Sequence, residues 1–150
     1  MRFLPHPPNF TPVLSIALFS GFYFKKTLQS FLIPISIMLL SDAIIGFHST
    51  MFFVYFSVLL TILIGMYFLK QTSAFKIAST SLLSSCLFFI ITNFGAWAIG
   101  GFYAKTMIGL FACFISGIPF FYNEVLGTSL YTFLLFSTYH YAIKSKLIKA

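Results

Sequence analysis

Six apolar blocks follow one another with only a few polar residues between them. They span residues 11–24, 28–45, 51–69, 77–99, 106–121 and 125–143. One membrane crossing takes about 20 mainly apolar residues. The blocks therefore use almost the whole chain and leave no room for an extramembrane domain. Composition agrees, with 59% apolar and 7% charged residues in 150. Soluble domains carry roughly 25% charged residues, so this chain has too few to cover a water-facing surface. It is also too apolar for disorder. A soluble enzyme and a secreted disulfide scaffold are excluded. Backbone groups in lipid must be satisfied within their own segment, which demands helices here. The period-two alternation of a membrane barrel is absent. The expectation is an all-α, polytopic integral membrane bundle with five or six membrane segments, forming one domain over 1–150 and surrounded by membrane lipid.

The formal charge of +7 would point to nucleic acid in a soluble protein. Here the basic residues stand singly or in pairs between apolar blocks, as loop lysines of a membrane protein do. No nucleic-acid partner is expected. Cys86 and Cys113 stand alone inside apolar blocks, without a CxxC or Cys/His spacing. They read as packing thiols and not as metal ligands.

Pro5, Pro7, Pro8 and Pro12 interrupt the place where a signal peptide would hold its apolar core. Proline suits the first turn of a helix and breaks its interior. The first helix is therefore expected to begin near Thr11, capped by Asn9 or Thr11. Its 14 residues to Phe24 would span about 21 Å, short of a hydrocarbon core about 30 Å thick. Residues 3–10 would then enter the membrane as irregular backbone, which is tolerated only when buried in protein or lining a cavity. Such a segment needs cover on its lipid side, so either a longer native chain or a partner helix is expected there.

Six full crossings would place five basic residues on one side and four on the other. Five full crossings, with 106–121 as a partial segment or hairpin arm, place seven on one side against Arg2 and Lys105. Cytoplasmic loops hold the excess of Lys and Arg. This favours an outer N-terminus and a cytoplasmic C-terminus in the inner (plasma) membrane. The shortness of 106–121, with Gly109, Gly117 and Pro119, favours the partial segment. Six plain spans remain the alternative.

On that topology the polar residues gather on the outer side. They are His6, Asn9, Asp42, His48, Asn93, Trp97, Tyr103, Lys105, Asn123 and Glu124. Polar groups at membrane depth are costly and mark function by default. Asn93 and Trp97 lie four apart on one helix face, where an amide and an indole can hold a flat polar ligand. Blander readings stand beside these. Asp42 could pair with Lys105 or cap a helix. Glu124 could sit in a first helical turn, where a carboxylate suits the dipole. Trp97 and Tyr103 could belong to the aromatic belt at the interface. His140 reads as an interface residue near the inner end. His6, His48 and Asp42 lack the spacing of a metal site. Ala17 and Gly21 form a small-xxx-small pair suited to helix packing. No nucleophile–base pair, nucleotide motif or cofactor motif is legible, so neither an enzyme nor a cofactor is expected.

Several strings resemble a bacterial membrane family, DUF6580, catalogued among transport proteins. They are Pro5-His6-Pro7-Pro8-Asn9-Phe10-Thr11-Pro12, Ala17-Leu18-Phe19-Ser20-Gly21, Leu40-Ser41-Asp42, Val54-Tyr55, Thr92-Asn93-Phe94-Gly95-Ala96-Trp97 and Ile118-Pro119-Phe120-Phe121. More distantly, the segment Pro119-Phe120-Phe121-Tyr122-Asn123, with the helix and lysines after it, resembles the end of substrate-capture (S) components of energy-coupling factor vitamin transporters. That resemblance implies an S-component-like fold with the Asn123 turn at the outer face beside the ligand. It also implies a coupling membrane subunit and ATPase subunits as partners. Family members carry another apolar helix before the Pro-rich string and an acid after Gly127, where this chain has Thr128. The reading is a substrate-binding subunit that captures a small, flat, polar molecule through His6, Asn9, Asp42, Asn93, Trp97, Tyr103, Asn123 and Glu124. The alternative is a structural or assembly-factor membrane protein without a ligand. A polar outward cavity would favour the first; a solid apolar interior would favour the second.

Overall fold

Among the described residues five helices follow one another: α1 (Val13–Phe24), α2 (Gln29–Ile45), α3 (Met51–Phe68), α4 (Ala74–Ile99) and α5 (Met107–Lys144). They come from a computed structural model that describes residues 5–25, 27–70 and 73–146. Arg2 and residues 3–4, which enter the readings above, lie outside the described residues, as do Lys26 and Lys149, two of the seven basic residues counted on one side. No strand occurs among the described residues, and the chain is all-α there. Helices α3, α4 and α5 are long and apolar enough to cross a membrane; α1 and α2 are shorter apolar helices. Large apolar side chains face outward, among them Phe75, Phe102, Ile108 and Phe133. Soluble monomers rarely expose apolar patches beyond a few hundred Å². Helices apolar on the outside as well as the inside are membrane spans in character.

The first four helices match the expected blocks closely. Helix α1 starts two residues later than its block, with Pro12 at the N-cap and no side-chain cap. Neither Asn9 nor Thr11 caps it. Residues 5–12 are non-helical, with Asn9 in the left-handed region at φ 64°. A backbone turn from the Phe10 N–H to the Pro7 carbonyl (3.0 Å) holds them.

The last two blocks are not separate. Residues 106–121 and 125–143 fuse into α5, 38 residues long, or about 57 Å. There is no partial segment, no hairpin arm and no turn at Asn123. Pro119 lies inside the helix. Membrane helices tolerate such a proline because neighbouring helices and local adjustment satisfy the freed carbonyl. Gly117 packs where a Cβ would overlap the Asn93 side chain. It admits α4 rather than breaking α5. Gly109 lies in the first turn, and its N–H bonds to the Thr106 hydroxyl that caps the helix.

Alternating helix directions follow from short links and observed contacts. Helix α4 runs against α5, with Asn93 beside Gly117 and Ile77 near Phe136. Helices α1 and α3 run together and approach most closely. A Cβ on Gly21 would overlap the Ile62 carbonyl, and one on Gly65 would overlap the Leu18 carbonyl. Ala17, fully buried, packs with Val58 and Ile62 in a core that also holds Leu14 and Met38. A second core of Leu18, Phe22, Ile64, Leu69 and Phe136 fills the other end. Side-chain bonds fasten α1 to its neighbours. Ser15 donates to the Thr128 carbonyl (2.9 Å) and Ser20 to the Ser30 carbonyl (3.0 Å).

The lengths differ in a way that positions the site. Helix α1 has 12 residues, α3 has 18 and α4 has 26. At one end of the bundle α1 stops short, and residues 5–12 occupy the gap.

Candidate ligand-binding site

A cavity of about 360 Å³ lies where α1 is missing. Its walls come from four places. His6, Asn9 and Thr11 come from the non-helical segment, Ile45 and His48 from the end of α2 and the link after it, Val54 from α3, and Glu124 from the middle of α5. Leu14, Met38 and Phe88 form the apolar floor. Gly127 makes the arrangement possible. A Cβ there would lie 3.1 Å from Phe10 Cα and 3.2 Å from the Thr11 nitrogen. The bare glycine lets the segment lie directly on α5. The Phe10 ring then meets Tyr131 edge-on at 5.9 Å.

Glu124 is the most telling side chain. It is 3% exposed and accepts a hydrogen bond from the Thr128 hydroxyl at 2.5 Å. It lies in the middle of α5, so a first-turn dipole role does not apply to it. No Lys or Arg lines the cavity among the described residues. A buried carboxyl group is expensive unless hydrogen bonds or a counter-charge meet it. One oxygen has Thr128, and the group borders a cavity wide enough for a small molecule.

A second cavity of about 270 Å³ adjoins through Asn9, which lines both. Asn93, Tyr103, Cys113 and Ser116 line it. The Asn93 amide donates to the Phe89 carbonyl (2.8 Å), and Cys113 lies 3.3 Å from the Asn93 carbonyl.

The expected site residues thus divide. His6, Asn9 and Glu124 meet in the first cavity; Asn9, Asn93 and Tyr103 meet in the second. Asp42 is buried beside the first without lining it, and its carboxylate accepts from the Tyr55 hydroxyl at 2.8 Å. It does not pair with Lys105. The Lys105 ammonium instead bonds to the Trp97 and Gly100 carbonyls, closing the C-terminus of α4. Trp97 shares a helix with Asn93 but lines neither cavity. Its indole N–H donates to the Ala104 carbonyl (3.0 Å), and Lys105 lies 5.8 Å from its ring. Asn123 is half-buried on α5 and lines neither cavity. His48 lines the first cavity and Thr128 bonds to Glu124 beside it, though neither was among the eight residues assigned to ligand capture. Their signals were present: His48 is a polar residue in the short α2–α3 link, and Thr128 lies four residues after Glu124 on one helix face.

No curated protein and no solved structure matches this chain. All 150 residues match the family described as a family of unknown function, DUF6580, and the chain belongs to that family.

Proposed function

We propose that this chain is the substrate-binding subunit of a membrane importer for a small polar metabolite. One observation carries the proposal: a 360 Å³ cavity at the end of the bundle where α1 is short, walled by a non-helical segment and holding Glu124. Irregular backbone at membrane depth belongs beside a cavity. A buried carboxyl group in a wall without lysine or arginine calls for a ligand rich in N–H donors, neutral or cationic. His6, Asn9 and His48 offer it further hydrogen bonds.

In this reading all five helices cross the inner membrane. The cavity opens outward, and the Lys25 turn, Lys70, Lys76 and Lys144 face the cytoplasm, in keeping with the lysine excess. The chain has no nucleotide motif, so energy comes from a coupling membrane subunit and ATPase subunits, as its distant resemblance to S components implies. Ala17 and Gly21 are covered by α3, so the coupling subunit docks on another face.

The test is thermal unfolding of the detergent-purified protein against small polar compounds sorted by charge. Cationic and donor-rich neutral compounds should raise the midpoint, and Glu124→Gln should lose that response. Stabilisation by anions alone, or an undiminished response in Glu124→Gln, would refute this use of the cavity.

A further inference from the structure

The two cavities of the candidate site follow each other along one pair of helices. On α4, Phe88 lines the first cavity, and Thr92, one turn further on, lines the second. On α5, Glu124 lines the first, and Phe120, one turn earlier, lines the second, with Gly117 and Cys113 beyond it. Residues three and four apart share a helix face. The second cavity therefore continues the α4–α5 seam from Glu124 toward the α4–α5 link. Asn9 belongs to both linings. Its left-handed backbone, at φ 64°, lies in the turn that the Phe10 N–H and the Pro7 carbonyl close.

The two ends of this seam differ in chemistry. The first holds the buried carboxyl group of Glu124. The second has no Asp, Glu, Lys or Arg in its lining among the described residues. It offers neutral hydrogen-bonding groups instead. Asn93 is fixed in place there. Its amide donates to the Phe89 carbonyl, and its Oδ1 occupies the space of the missing Cβ of Gly117. A side-chain amide has two N–H donors and two lone pairs, so Asn93 keeps a donor and acceptor capacity for a ligand. The Tyr103 and Ser116 hydroxyls, which also line this cavity, make no hydrogen bond to the described residues. An ion would meet no counter-charge among these groups, and an unpaired charge is costly at membrane depth. An uncharged group that both donates and accepts would be met in full. Glu124 and Gly117 lie two turns apart on α5, about 10 Å.

We propose that the ligand has two ends: an amine bound at Glu124 and, about 10 Å away, an uncharged amide-like group held by Asn93, Tyr103 and Ser116. Asn9 lies beside the stretch that joins them. The proposal rests on the Glu124 cavity being a ligand site and adds the second end and its distance.

Thermal unfolding of the detergent-purified protein tests it with ε-aminocaproamide, glycinamide and hexamethylenediamine as separate additions. The first carries an amine and an amide far enough apart to reach both ends. The second carries the same two groups too close together, and the third replaces the amide by another cation. ε-Aminocaproamide should raise the midpoint several-fold more than either of the others. In Asn93→Leu, which removes the amide at similar volume, that advantage should disappear. If Asn93→Leu fails to fold, Ala96→Leu, which narrows the second cavity, carries the same test. Glu124→Gln should lose the response to all three compounds. Equal rises from ε-aminocaproamide and glycinamide, a larger rise from the diamine, or an undiminished advantage in the folded variant would overturn the two-ended ligand and leave the Glu124 cavity standing as a ligand site. No rise with any of the three would overturn both.

Discussion

Glu124 and Thr128 act as one unit. Where the family resemblance implies an acid after Gly127, this chain has Thr128, and its hydroxyl donates to the carboxyl group one turn earlier. Glu124 and Thr128 lie four residues apart on one face of α5. Hydrogen bonds to charged groups contribute roughly 1.5–3 kcal/mol. Replacing Glu124 by Gln should therefore weaken ligand binding by about tenfold to a hundredfold, read by equilibrium binding. Thr128→Val should weaken it less, because the carboxylate remains. Lys105 has a different duty. Its ammonium meets the last carbonyls of α4, and such charge–dipole contacts are worth about 0.3–1 kcal/mol. Lys105→Met should lower thermal stability by about that amount and leave ligand affinity unchanged; a loss of affinity would put Lys105 in the site. Residue types alone could mark Glu124, His6 and Asn9 as polar groups at membrane depth. They could not show that Trp97 spends its N–H on Ala104 or that Asp42 meets Tyr55. Those partners are brought near by folding, not by spacing.

At the scale of the helices, glycine placement decides the fold. Gly21 and Gly65 let α1 and α3 approach until each backbone fills the space of the other's missing Cβ. Gly21→Ala should destabilise the protein by about 1–3 kcal/mol through overpacking, measured as a lower unfolding midpoint in detergent. Gly21→Ala with Gly65→Ala should cost less than the sum, since either one already parts the helices. A neutral Gly21→Ala would mean that α1 and α3 do not touch there. The small-xxx-small pair on α1 was legible because Ala17 and Gly21 sit four apart. The continuity of α5 was not. Gly117 and Pro119 close together read as a helix end by local rules, yet Gly117 serves contact with α4 and Pro119 is carried inside the helix. Packing overrode the local signal. Pro119→Ala should accordingly leave the helix intact and the protein at least as stable. A marked loss of stability in this variant would show that the proline shapes α5 after all. Helices α2, α3 and α4 were easier to delimit. Their ends coincide with sharp changes from apolar runs to short polar links.

Over the whole molecule, five alternating helices bring the turn at Lys25, the link at Lys70, the start of α4 and Lys144 to one end, away from the short-helix cavity. Cysteine labelling in intact cells tests the orientation that the lysines favour. Phe102→Cys, almost fully exposed in the α4–α5 link, should react with an impermeant thiol reagent, and Ser145→Cys should not. The reverse pattern would invert the protein in the membrane. The same length mismatch that opens the Glu124 cavity underlies the proposed capture: beside a short α1, irregular backbone enters the bundle and brings His6, Asn9 and Thr11 to the cavity wall. The most direct check on that link is the mass spectrum of small molecules released from the purified protein. Wild type and the Thr132→Val variant, altered outside this cavity, should release the same N–H-rich polar compound in near-stoichiometric amount, and Glu124→Ala should release little of it. Empty wild-type protein from cells grown in rich medium, or equal amounts of the compound from Glu124→Ala, would contradict the capture of a ligand in this cavity.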